Sequence, residues 1–110
     1  MTTVKEVAEM SGVSVRTLQY YDRIGLLCPG RSESGYRLYT DKDEVRLRQI
    51  MICRKCGMKL KSIKPFLEAA PKEKMAILIA HEKNLLQTIE EIKTQLVSTK
   101  ELRRKIENDY

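Results

Sequence analysis

From Lys72 to about Asn108 nothing in the chain stops a helix: the stretch has neither proline nor glycine, and Pro71 stands just before it. Its best apolar seam reads Leu85, Ile89, Ile92, Leu96, Thr99, Leu102 and Ile106. The steps are 4, 3, 4, 3, 3 and 4 residues, a coiled-coil stripe with one local shift at Thr99. At ~1.5 Å per residue the seam spans about 33 Å. A lone helix would leave that stripe in water, although burying each Leu or Ile is worth roughly 1.5–3 kcal/mol. Too little chain remains to cover it from within. The pattern therefore predicts a homodimer through this helix, with Leu85, Ile89, Ile92, Leu96, Leu102 and Ile106 at the contact.

The rest of the chain divides into short elements. Thr3 reads as a helix N-cap with Glu6 completing a capping box, and Val4, Val7 and Ala8 fall on one helical face. Ser11-Gly12 ends that helix. Ser14 caps the next, which runs to about Ile24 and is stopped by Gly25. On this second helix Val15, Leu18 and Tyr21 form the inward stripe, so Arg16, Thr17 and Tyr20 face out. That is the layout of a recognition helix, whose early outward residues enter the major groove. Arg16 has the fork to hold guanine O6 and N7 or a phosphate, Thr17 a hydroxyl and a methyl, and Tyr20 a hydroxyl on a rigid ring.

Leu26-Leu27 and Leu38 bracket a hairpin tipped by Ser32-Glu33-Ser34-Gly35, with Arg31, Tyr36, Arg37 and Tyr39 around the tip. Long donors beside a flexible tip suit the phosphate backbone, while plain solvated arginines are the alternative. A third helix is expected from Asp41 to about Cys56, capped by Thr40 or Asp41 and closed by Gly57. Val45, Leu47, Ile50, Met51, Ile52 and Cys53 are expected to fill its buried sides. A fourth is expected to start near Ser62, which places Pro65 in a first turn where no backbone donor is needed. Lys59, Lys61 and Lys64 form either a second phosphate-facing edge or an ordinary solvated cluster. The expected fold is mainly α, a winged helix-turn-helix head over residues 1–71 with a small β-hairpin wing, followed by a dimerisation helix over 72–110.

Composition narrows the function. The net charge is +6, and residues 1–71 hold 13 Lys/Arg against 8 Asp/Glu, whereas residues 72–110 hold 8 against 7. The positive excess sits on the head, as a polyanion partner requires. Three cysteines without a signal peptide point to a reducing cytoplasm and no disulfide framework. No apolar run approaches the roughly 18 residues that span a membrane. P-loop, H-E-x-x-H and G-x-S-x-G motifs are absent and His81 is the only histidine, so an enzyme is the least favoured class and no cofactor is expected. Cys53 and Cys56 form a C-x-x-C inside a helix, too few ligands for a tetrahedral metal. Core packing is preferred for the pair over redox or metal sensing, and no metal site is assigned.

The runs VKEVAEMSGVSVRTLQYYDRIGLL, GYRLYTDKDEVRLRQI and CGMKLKSIKPFL resemble the MerR family of bacterial transcription regulators. Its pattern reads roughly R-T-[LI]-R-Y-Y-[ED]-x-x-G-L-[LI], then G-Y-R-x-Y, and the likeness covers residues 2–70 by motif. The resemblance implies a dimer through an antiparallel coiled coil on a promoter inverted repeat, with the overlong spacer bent and untwisted so that RNA polymerase engages both elements. The DNA contacts it implies are Arg16, Thr17 and Tyr20, with Tyr21 as a further member, and Tyr36, Arg37 and Tyr39 on the wing; Arg31 joins them from the hairpin reading. Tyr21 thus stays open between core and backbone contact. Gln19 stands where the family often has Arg, and Lys59 and Pro65 depart from its usual fourth-helix start. Many relatives carry an effector-binding segment beyond the dimer helix, and this chain stops at Tyr110. The alternative is an architectural or recombination accessory protein that bends DNA without answering to an effector.

Overall fold

The computed structural model describes residues 1–109. In chain order the elements are β1 (Thr2–Thr3), α1 (Val4–Ser11), α2 (Val15–Arg23), β2 (Gly30–Arg31), β3 (Arg37–Tyr39), α3 (Asp41–Lys55), α4 (Leu60–Glu68) and α5 (Pro71–Asn108). Two compact units result, one ending at Glu68 and one beginning at Ala69, slightly before the boundary expected at Pro71.

In the first unit α1, α2 and α3 each start where a side chain satisfies a free backbone donor. The Thr3 hydroxyl accepts from the Glu6 amide at 3.3 Å, and the Glu6 carboxylate accepts from the Thr3 amide at 3.3 Å. Ser14 Oγ accepts from the Thr17 amide at 3.0 Å, and Thr40 and Asp43 form a second capping box at the start of α3. Each such cap is worth about 0.5–2 kcal/mol. Between α1 and α2, Gly12 adopts φ +79°, a backbone conformation that side chains resist, and its amide donates to the Ala8 carbonyl at 3.0 Å.

The small sheet has the order β1–β3–β2, antiparallel throughout. Thr2 pairs with Tyr39 and Thr3 with Leu38 on one side, Gly30 with Leu38 and Arg31 with Arg37 on the other. Strand β1 is absent from the sequence expectations. Two residues are too few to show an alternating pattern, and this strand exists only because β3 offers it an edge. The core gathers Val7 from α1, Leu18 and Tyr21 from α2, Leu26 and Leu27 from the following loop, Tyr39 from β3, Leu47, Ile50 and Cys53 from α3, and Met58 and Ile63. Two arginines brace the loops around it: Arg46 Nε donates to the Leu26 carbonyl at 2.8 Å and Arg54 Nη1 to the Met58 carbonyl at 2.8 Å.

Two expectations need correction. Val45 and Ile52 do not fill the buried side of α3; they are 44% and 63% exposed. They lie two turns apart on the face opposite Ile50, and the core reaches only the Leu47–Ile50–Cys53 side. Helix α4 begins at Leu60 rather than near Ser62, so Pro65 lies inside it. The apolar positions Leu60, Ile63, Phe66 and Leu67 keep one face toward the core, with Ile63 fully buried. Pro65 and Lys61, whose backbone bond the proline forfeits, are both exposed, so the gap falls on the solvent side.

The second unit is dominated by α5, a 38-residue helix with Pro71 at its start, where a missing amide hydrogen costs nothing. Along it Leu85, Ile89, Ile92, Leu96, Leu102 and Ile106 are all exposed in the single chain. No helix among the described residues is long and apolar enough to cross a membrane.

Ile50 is completely enclosed. Ile50→Ala is expected to cost the head about 2–5 kcal/mol in urea denaturation, since the cavity adds to the lost transfer energy.

Candidate nucleic-acid interface

The outward face of α2 follows from what the helix buries. With Leu18 and Tyr21 held in the core, Arg16, Gln19 and Tyr20 are left exposed. Thr17 is half-buried, and its Oγ1 accepts a hydrogen bond from Ser14 Oγ at 2.8 Å. Tyr20 is 43% exposed, and the Arg23 guanidinium stands 5.8 Å from its ring centroid. That cation–π contact stiffens the ring at the surface and puts another positive charge beside it. A shallow groove next to Tyr20 is lined by Ile24 and Leu26 and, from α4, by Leu60, Lys61, Lys64 and Pro65. Lys61 and Lys64 thus share a groove with Tyr20 of α2.

The hairpin β2–β3 turns through Ser32–Gly35. The Ser32 amide donates to the Tyr36 carbonyl at 2.8 Å, and the Tyr36 amide donates to Ser32 Oγ at 3.1 Å. Gly35, at φ +84°, closes the turn and donates to the Ser32 carbonyl at 2.9 Å. Tyr36 stands out from the tip, 73% exposed. Both wing arginines reach one oxygen of Asp22: Arg37 Nε donates to Oδ2 at 2.8 Å and Arg31 Nη2 to the same atom at 3.1 Å.

Two tyrosines offered as DNA contacts lie inside the head. Tyr21 is a core residue, as the inward stripe of α2 required, and is 7% exposed. Tyr39 is 1% exposed. It stands on the central strand, where α1 and α3 close over it, so the tyrosine at the end of G-Y-R-x-Y is a packing residue in this head. Burial pushes its pKa above the ordinary 10.0, with the neighbouring Arg37 charge pulling the other way. Its hydroxyl has no hydrogen-bond partner among the described residues.

Sequence reasoning missed Asp22, Arg23 and Arg46. Asp22 reads there as one acid near the end of a helix, and nothing in its spacing announces partners 9 and 15 residues downstream. Cys53 is buried on α3, while Cys28 and Cys56 are exposed. Among the described residues no group of three or more His, Cys, Asp or Glu side chains is arranged to hold a metal ion.

A model for a MerR HTH family regulatory protein matches residues 2–70. The chain belongs to the MerR family. It is 41% identical over 103 residues to the transcriptional activator mta of Bacillus subtilis, covering 86% of this chain and 40% of that protein. To the activator TipA of Streptomyces coelicolor it is 46% identical over 67 residues, covering 60% of this chain and 26% of that protein. The chain therefore spans well under half the length of these curated relatives. Among solved structures, the N-terminal part of the B. subtilis multidrug transporter activator, MtaN, superposes with a TM-score of 0.83 at 37% identity, covering 89% of this chain and 93% of that one. HiNmlR, a MerR family regulator lacking the sensor domain and bound to promoter DNA, superposes with a TM-score of 0.64 at 35% identity, covering 86% and 77%. The mainly α fold with a winged helix-turn-helix head is thus the MerR fold. The MerR relatives are transcription regulators, not enzymes.

Burial of Tyr39 has a pH signature. Because its folded pKa is raised, the stability linked to the neutral phenol is complete below pH 10 and is lost as pH rises through the folded value. Thermal melts at neutral pH and above pH 10 should show a smaller alkaline loss in Tyr39→Phe than in the wild type, with DNA affinity unchanged. A drop in affinity at unchanged melting temperature would return Tyr39 to the DNA face.

Proposed function

We propose that the chain is the DNA-binding and dimerising part of a sequence-specific transcription regulator. Two copies pair through antiparallel α5 helices. Each head sets α2 into the major groove at one half of a promoter inverted repeat and lays its wing on the flanking backbone. The spacer is distorted so that RNA polymerase engages both promoter elements. The protein acts in the cytoplasm, where the promoter is.

The observation that carries this reading is the exposed pair Arg16 and Tyr20 on a capped, tightly packed α2, in a head of the MerR family. Arg16 has the two-pronged donor that reads guanine in the major groove, and Tyr20, propped by Arg23, is placed one turn further along. Thr17 and the wing-tip Tyr36 extend the same contact set. The row of exposed Leu and Ile on α5 supports pairing, because a monomer would keep that stripe in water. HiNmlR, a similar MerR regulator seen bound to promoter DNA, supports the DNA-binding reading.

Footprinting on DNA flanking the coding region should show one inverted repeat protected within a promoter, with altered reactivity at the spacer centre. Several arrayed sites would instead indicate the accessory DNA-bending protein. Arg16→Ala is expected to weaken specific binding by roughly 1–3 kcal/mol, the range for one good base contact. An equal loss on random DNA would make Arg16 a phosphate clamp. Replacing Ile89 and Ile92 together by Asp should give monomers by light scattering, and a dimer that persists would remove α5 as the interface.

A further inference from the structure

Asp22 places a negative charge on the face proposed to meet phosphates, and it does so with two arginines on one of its oxygens. We infer that Asp22 is the positioning residue of the wing, using Arg31 as a structural tie and presenting Arg37 as the phosphate donor. This rests on the DNA-binding reading above.

Asp22 lies in the last turn of α2, whereas Arg31 and Arg37 are direct register partners across β2 and β3. One carboxylate oxygen therefore ties both strands of the wing to the end of the recognition helix. The two arginines are used differently. Arg31 spends both terminal nitrogens inside the protein: Nη2 on Asp22 at 3.1 Å and Nη1 on the Gly35 carbonyl at 3.4 Å. It braces the tip against the helix. Arg37 reaches Asp22 through Nε at 2.8 Å, so its terminal amino groups remain as a planar fork. The Asp22 and Arg37 side chains are only 17% and 23% exposed, which sets this pair apart from a mobile surface bridge. Two guanidiniums against one carboxylate leave the cluster positive, and it still attracts a phosphate.

The sign of one substitution separates positioning from mere presence. A carboxylate that only sat near DNA would repel phosphates, and removing its charge would tighten binding. A positioning carboxylate does the reverse. The test uses the full chain and a labelled mixed-sequence DNA duplex, with fluorescence anisotropy read over a range of KCl concentrations. Arg37→Gln should lower the salt slope by about 0.9, one phosphate contact. Arg31→Gln should leave the slope unchanged while speeding hydrogen exchange at the Gly35 and Tyr36 amides. Asp22→Asn should weaken binding roughly five- to tenfold, as losing one charge-assisted contact does, and should add nothing further in the Arg37→Gln background.

Tighter or unchanged binding by Asp22→Asn overturns the inference, as does additive loss in the double variant. Equal slope changes for Arg31→Gln and Arg37→Gln overturn it too, and that comparison stands even where Asp22→Asn folds poorly. Absence of salt-dependent duplex binding by the wild type would strike the DNA reading itself, a result visible before any variant is made.

Discussion

The outward chemistry of the head depends on what its central strand buries. Tyr39 on β3 is enclosed by the helices around it. In a strand, residues two apart share a face, so Arg37 lies on the same side as Tyr39 and is carried to the end of α2, where Asp22 receives it. A ring in the core thereby sets the position of a charge at the surface. Pairing of Arg31 with Arg37 in the β2–β3 register brings the second guanidinium to the same carboxylate. The hairpin is thus anchored by a hydrophobic ring at one end and by an ionic cluster at the other.

Helix α2 obeys the same logic from the other side. Leu18 and Tyr21 are buried, and that leaves Arg16 and Tyr20 in solvent. Its start is fixed by Ser14, and beyond its end the loop is tied to α3 by Arg46 on the Leu26 carbonyl. A helix held at its base, its face and its exit offers a rigid set of donors, and rigid donors lose less freedom when they meet a ligand. Along α5 the situation is reversed. Its stripe of Leu and Ile is regular and stays exposed in the single chain, and that exposure is what the proposed pairing of two copies rests on.

Several features were legible in the residues. Thr3, Ser14 and Thr40 announce helix starts through hydroxyls that accept backbone hydrogen bonds, and Gly12, Gly25 and Gly57 announce ends because they tolerate positive φ. Arg16 and Tyr20 were assigned outward from helical spacing, and α5 as one unbroken helix from its lack of proline and glycine. All of these are local signals, decided within one or two turns of chain.

The residues by themselves determined the helices, the caps of α1, α2 and α3, the outward face of α2 and the length of α5, because each depends on neighbours a few positions away, whereas strand β1 exists only through its pairing with β3. Only tertiary structure decided that Tyr39 is a core ring, that Val45 and Ile52 face water, that Pro65 sits inside α4, and that Asp22 gathers both wing arginines. Each of those outcomes depends on which distant segment packs against the residue. Burial and ion pairing are set by distances in space, and separations of 9 and 15 residues between Asp22 and its partners carry no periodic signal along the chain.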